Sequence, residues 1–170
     1  MPHRPGHVVT EATLDCSSED AWDKVCFYEH ITIKPSLFLR TVLPVPQKTT
    51  GRYERVGDIS RCCYSDGGYL TKRITDIREG DRIEFEIIEQ SIRFHRTIKL
   101  CGGCIEVADQ GDGTCLVRMT TRYRMSLRPV RFFHWAIARV VKAMHAIVLR
   151  DMQFCLRGEA HAKDAVQLSH

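Results

Sequence analysis

Hydrophobic and polar positions alternate through most of the first 125 residues, and the alternation breaks at clusters of turn-forming residues. Val8 to Asp15 reads as a first strand. Ser17, Ser18, Glu19 and Asp20 follow at once, and their hydroxyls and carboxylates suit the free amides and positive end of a helix start. Ala21, Trp22, Val25 and Cys26 then recur at helical spacing and give a short helix its packing face, which must end before Pro35. Leu37 to Leu43 reads as extended, with Pro44 and Pro46 confining it to a sheet edge or strand end and a loop expected after them.

From Arg52 to Met125 strand-like runs are separated by Asp66-Gly67-Gly68, by Glu79-Gly80-Asp81 and by the stretch from Asp109 to Gly113, which predicts an antiparallel meander. Ile83, Phe85 and Ile87 alternate with Glu84 and Glu86. Ile92, Phe94, Arg96, Ile98 and Leu100 share one parity, with Arg93, His95, Thr97 and Lys99 on the other. Cys115, Val117, Met119, Thr121, Tyr123 and Met125 oppose Arg118, Thr120, Arg122 and Arg124, so each run has one apolar face and one wet face. From Pro129 to about Arg157 the period becomes helical. Phe133, Ile137, Val140, Val141, Met144, Val148, Met152 and Cys155 form its apolar stripe, opposite Arg139, Lys142, Arg150, Gln153 and Arg157. Glu159 to His170 is small and polar, and a frayed tail is expected there.

This order of elements predicts a soluble α+β domain with a helix-grip fold, a curved antiparallel sheet wrapped around the long C-terminal helix. One domain is expected over residues 1–170, with an ordered core over about 8–158 and flexible termini. A straight helix against a curved sheet is hard to pack with side chains alone, and cavities of roughly 300–1,000 Å³ are typical of small-molecule sites.

Composition narrows the functional classes. Hydrophobic residues at 44% and charged residues at 27% give the balance of a globular protein. The most apolar helical stretch, Ile137 to Leu149, contains Arg139, Lys142 and His145 and is too short to cross a bilayer. With no export signal at Met1 to His7, the eight cysteines read as reduced structural thiols and the protein as cytoplasmic. Cys101-Gly102-Gly103-Cys104 has the spacing of a redox or zinc motif. It lies in an extended run, away from any helix dipole, and the adjacent Cys62 and Cys63 are poorly placed to complete a tetrahedron. Its glycines read instead as a bulge that bends a long strand, and neither a metal nor a cofactor is expected. The net charge of +4 is concentrated between Arg118 and Lys142, where no acidic residue occurs. With Phe132 and Trp135 nearby, this region reads first as a solvated face, with an anionic membrane surface as the alternative partner and no nucleic acid.

The phrase Cys16-Ser17-Ser18-Glu19-Asp20-Ala21-Trp22-Asp23-Lys24-Val25, the Gly111-Asp112-Gly113-Thr114 turn before the last strand and the long final helix resemble the superfamily of START domains, birch-pollen-allergen-like proteins and polyketide cyclases, abbreviated SRPBCC. Within it the chain looks like the polyketide cyclase/dehydrase and lipid-transport branch. That resemblance implies a hydrophobic ligand, a lipid, fatty acyl or polycyclic polyketide-like molecule, held between sheet and helix. The alternatives are a polyketide cyclase or dehydratase and an interaction module using the basic face. It brings no shared catalytic motif.

Candidate site residues follow from inward parity. Arg96 would turn its guanidinium inside, and Asp151, near the centre of the helical stripe, is its natural partner, because a buried charge needs one. Such a pair could form a structural ion pair, or anchor and orient a ligand oxygen. Thr121 and Tyr123 offer hydroxyls, and Phe85, Phe94, Met119, Met144 and Val148 offer apolar lining. His145, at the margin of the stripe, is a candidate acid/base group, whereas His95 falls on the solvated face.

Overall fold

The computed structural model describes residues 6–26, 46–92, 97–125 and 130–167. The elements are β1 (Gly6–Leu14), α1 (Ser18–Cys26), β2 (Pro46–Gly51), β3 (Ile59–Tyr64), β4 (Tyr69–Arg78), β5 (Arg82–Ser91), β6 (Ile98–Asp109), β7 (Cys115–Met125) and α2 (Val130–Gln167). The strands form one curved sheet in the order β1-β7-β6-β5-β4-β3-β2, each antiparallel to its neighbours, so the first and last strands in sequence lie side by side.

Local chemistry sets the boundaries. Ser17 caps α1 by accepting the Asp20 amide at 3.1 Å and donating its hydroxyl to the Asp20 carboxylate at 2.8 Å. Ala21, Trp22 and Val25 are buried, as their spacing predicts. In the β6–β7 turn, Asp109 accepts the Gly111 amide at 2.8 Å and Asp112 accepts the Thr114 amide at 3.0 Å, while Gly111 takes a φ of 77° and Gly113 one of 85°. The glycine pair in β6 makes the expected irregularity, a register shift between Leu100 and Gly102 where β6 meets β7.

Cross-strand pairs carry one continuous set of inward residues. Val8, Thr10, Ala12 and Leu14 of β1 continue into Thr121, Met119, Val117 and Cys115 of β7, then into Gly103, Ile105 and Val107 of β6 and Phe85 and Ile83 of β5. Ile74, Lys72, Leu70, Cys62 and Ser60 extend it through β4 and β3. The principal core gathers Leu14, Trp22, Val25, Ile74, Ile83, Val107 and Val117 with Leu149, Met152 and Leu156 of α2. Helix α2 packs against β1, β7 and α1.

Four sequence expectations change. Pro46–Gly51, expected as a loop, is an edge strand paired with β3, and Pro46 opens it, a position where no ladder amide is required. The run from Ile92 to Leu100 is not one strand: β5 stops at Ser91 and β6 starts at Ile98, because antiparallel neighbours joined in sequence require a reversal between them. Helix α2 does not stop near Arg157 but continues through Gly158 to Gln167, about 57 Å in all at 1.5 Å per residue. A single glycine weakens a helix by about 1 kcal/mol without ending it, and Glu159, Ala160, Ala162, Lys163 and Ala165 favour continuation. Secondary structure therefore reaches beyond 8–158 at both ends. Finally, the buried face of α2 includes His145, Leu149 and Leu156, all outside the expected stripe, because the helix is covered by α1 as well as by the sheet.

Candidate functional site

Helix α2 is fastened to the sheet by polar contacts at two levels. His145 is 5% exposed, with Nε2 2.8 Å from Thr121 Oγ1 and Nδ1 2.9 Å from Thr10 Oγ1. A neutral imidazole donates to one hydroxyl and accepts from the other, so both ring nitrogens are occupied. Burial lowers its pKa to about 4, which keeps the ring neutral at physiological pH. His145 thus joins β1, β7 and α2 from the middle of the helix face rather than its margin. Nearer the start of α2, the Tyr123 hydroxyl lies 3.0 Å from His134 Nδ1, and the Tyr123 ring sits directly beneath its β1 partner Gly6, where an added Cβ would fall 2.8 Å from Tyr123 Cζ.

The residues expected to contact a ligand are distributed as follows. Thr121 is bonded to His145, and Tyr123 is 2% exposed with its hydroxyl against His134. Met119 and Val148 pack against the principal core, and Met144 is half-buried on α2. Asp151 is fully buried on α2. Phe85 is half-buried on the inward face of β5, pairing with Ile74, and the Lys72 ammonium lies 4.9 Å from its ring centroid. Phe94, Arg96 and His95 lie outside the described residues.

Parity reasoning passed over a polar group at the far end of the same inward face. Ser60 of β3 and Lys72 of β4 are directly paired across the two strands, with Cys62 one inward step further along β3. Ser60 is 2% exposed, and its hydroxyl has no hydrogen-bond partner among the described residues. The Lys72 ammonium has the Cys62 thiol and the Tyr53 and Tyr64 phenols near it. Burial works against its charge, but the Cys62 thiol and the Tyr53 and Tyr64 phenols beside it hold its pKa above the ordinary lysine value. Burial also pushes the Tyr64 phenol up to about 12. The group is one ammonium among hydroxyls and a thiol. The signal was present in Leu70-Thr71-Lys72-Arg73-Ile74, where a lysine occupies an inward position between two apolar ones.

The convex face is different in kind. Arg118 donates to Glu11 at 2.6 Å and lies 3.8 Å from Glu106, while Glu84 accepts from both Arg122 and Arg82. Arg118 and Arg122 of β7 are therefore matched by carboxylates of β1, β5 and β6, and the Arg122 and Arg82 guanidinium groups hold Glu84 below the usual carboxylate range. Trp135 is 66% exposed with Arg139 stacked at 5.1 Å from its ring centroid. The described cysteines are free thiols, with Cys16 and Cys115 Sγ atoms 3.6 Å apart, and no group of three metal-ligating side chains comes together among the described residues. No described helix is long and apolar enough to cross a membrane. A solvent-open hollow of about 180 Å³ lies along the β1–α2 seam, lined by Thr10, Ala12, Leu14, Ala146, Leu149 and Gln153 among others.

No family model and no curated protein matches the sequence. Solved structures do match the fold. A START superfamily protein from Mycobacterium smegmatis aligns with a TM-score of 0.63 at 8% identity, over 89% of this chain and 97% of that one. Norcoclaurine synthase from Thalictrum flavum, in complex with dopamine and hydroxybenzaldehyde, gives 0.59 at 16% identity over 91% of this chain and 88% of that one. Ginseng major latex-like protein 151 from Panax ginseng gives 0.58 at 17% identity over 88% and 95%. The helix-grip fold expected from the SRPBCC resemblance is the fold present.

Proposed function

We propose that this chain, which has the helix-grip fold of START and birch-pollen-allergen-like proteins, binds a hydrophobic small molecule, a lipid, fatty acyl or polycyclic compound, between the concave sheet and α2. The observation that carries the reading is an asymmetry in packing. Helix α2 lies on β1 and β7, whereas Phe85 and Ile87, inward on β5, remain only half-buried. Their apolar surface is the natural floor for a ligand, since burying it against one contributes roughly 25 cal/mol per Å². The ligand complex of the Thalictrum flavum synthase supports the reading by analogy of fold.

Titration with the uncharged fluorophore 1-aminoanthracene tests this. Saturable binding with enhanced, blue-shifted emission is expected. Ile87→Trp, which fills part of the space, is expected to weaken it by about tenfold, or about 1.4 kcal/mol, with the thermal unfolding midpoint little changed. Absence of saturable binding, or indifference to Ile87→Trp, would overturn the proposal.

A further inference from the structure

Among the described residues, the concave face contains a polar patch that the fold itself does not require. His145 and Tyr123 use their polar atoms to hold helix to sheet. Ser60 and Lys72 do not: they pair across β3 and β4, away from the strands on which α2 rests. Directly opposed cross-strand side chains have their Cβ atoms about 5 Å apart, so the Ser60 hydroxyl and the Lys72 stem leave the sheet together on the inward side. A buried hydroxyl without a partner is costly. Among the described residues the groups acting on the Lys72 charge are Cys62, Tyr53 and Tyr64, none of them a carboxylate, and the Phe85 ring lies beneath the ammonium. Two donors thus converge where an acceptor bearing negative charge would satisfy both, and around it Phe85, Leu70 and Ile87 offer apolar surface.

We infer that Lys72 and Ser60 form an anion subsite at the β3–β4 end of the concave face, which receives the carboxylate of an otherwise apolar ligand; this rests on the binding function proposed above. Lys72 Nζ and Ser60 Oγ each donate a hydrogen bond to the carboxylate, and the Phe85 ring face supports the ammonium from the other side. The subsite selects for an acid over the corresponding alcohol, because the alcohol leaves the ammonium without its counter-ion.

Displacement of 1-aminoanthracene by matched pairs reads this selectivity: palmitate against hexadecanol for a linear body, and 1-naphthoate against 1-naphthalenemethanol for an aromatic one. The native protein is expected to favour the acid of at least one pair by on the order of tenfold, and the pair showing it identifies the body. Lys72→Met is expected to abolish the preference, chiefly by weakening acid binding about tenfold, and Ser60→Ala to reduce it by roughly threefold, within the range of a single hydrogen bond. Lys72→Arg, which keeps the charge, should retain the preference and serves as the folded control should Lys72→Met unfold, in which case Lys72→Gln takes its place. Binding of alcohols without preference for acids in the native protein would overturn the subsite alone. A preference that survives loss of the Lys72 charge would do the same. Failure of every compound, the fluorophore included, would remove the binding function and the subsite together.

Discussion

Lowering the pH from 7 to 5 is expected to cost the folded protein about 2 kcal/mol through His145 alone. Its imidazole titrates near 6.5 in the unfolded chain and at about 4 when buried between Thr10 and Thr121. Between those two values the unfolded chain binds the proton and the folded one does not, so stability rises with pH across the window and is lost as pH falls through it. The full loss, reached below pH 4, is roughly 3 kcal/mol. Urea unfolding at pH 7 and pH 5, for the native protein and for His145→Gln, isolates this contribution. Glutamine retains one donor and one acceptor for the two threonines but has no proton to gain, and carboxylates such as Glu84 titrate alike in both proteins. The variant should lose about 2 kcal/mol less than the native protein on acidification. Equal losses in the two would show that His145 takes up its proton without disturbing the helix–sheet junction.

Gly102→Ala is expected to be more damaging still, by at least about 3 kcal/mol, and to leave little folded protein. Gly102 has a φ of 143°, and a Cβ placed there would lie 2.2 Å from the Phe85 carbonyl oxygen and 2.8 Å from the Glu86 Cα. Both are backbone atoms of β5, so relief requires parting two central strands at the point where their pairing ends. Beyond that point the Gln90 side chain takes the place of the ladder, donating to the Ile98 carbonyl at 2.7 Å and accepting the Leu100 amide at 2.8 Å. Gly111→Ala is the matched control. Its φ of 77° also favours glycine, but nothing lies within 4 Å of an added Cβ, so the cost should be limited to about 1 kcal/mol. Circular dichroism and thermal unfolding of the two variants distinguish crowding from backbone preference. Equal effects would mean that β5 and β6 separate easily.

Much of the fold was legible because it depends on local periodicity. The two-residue alternation in β5 and β7, the Ser17 cap, the aspartate-glycine turns and the helical period after Pro129 are properties of short stretches, and each forms as its pattern predicts. Even the glycine pair of β6 revealed its irregularity, because a strand interior has few other uses for two glycines. The reversal after Ser91 was hidden because Ile98 and Leu100 happen to keep the parity of Ile92 across it. The end of α2 was misplaced because a glycine near a helix terminus has the same appearance whether or not the chain continues.

The candidate site was legible only as a set of inward positions. Parity placed Thr121 and Tyr123 inside, but their hydroxyls are bonded to His145 and His134, residues 24 and 11 positions away that the packing of α2 brings to them. Likewise, nothing local to Ser60 indicates that Lys72 stands opposite it. That follows from the β3–β4 register, and the unpartnered state of the hydroxyl follows from everything packed around it. The sequence by itself determined which faces are apolar, because side-chain periodicity is a property of the backbone. Only the tertiary structure decided which inward polar groups satisfy one another and that the Ser60 hydroxyl finds no partner among the described residues, because hydrogen bonds between distant elements depend on distances that no local pattern encodes.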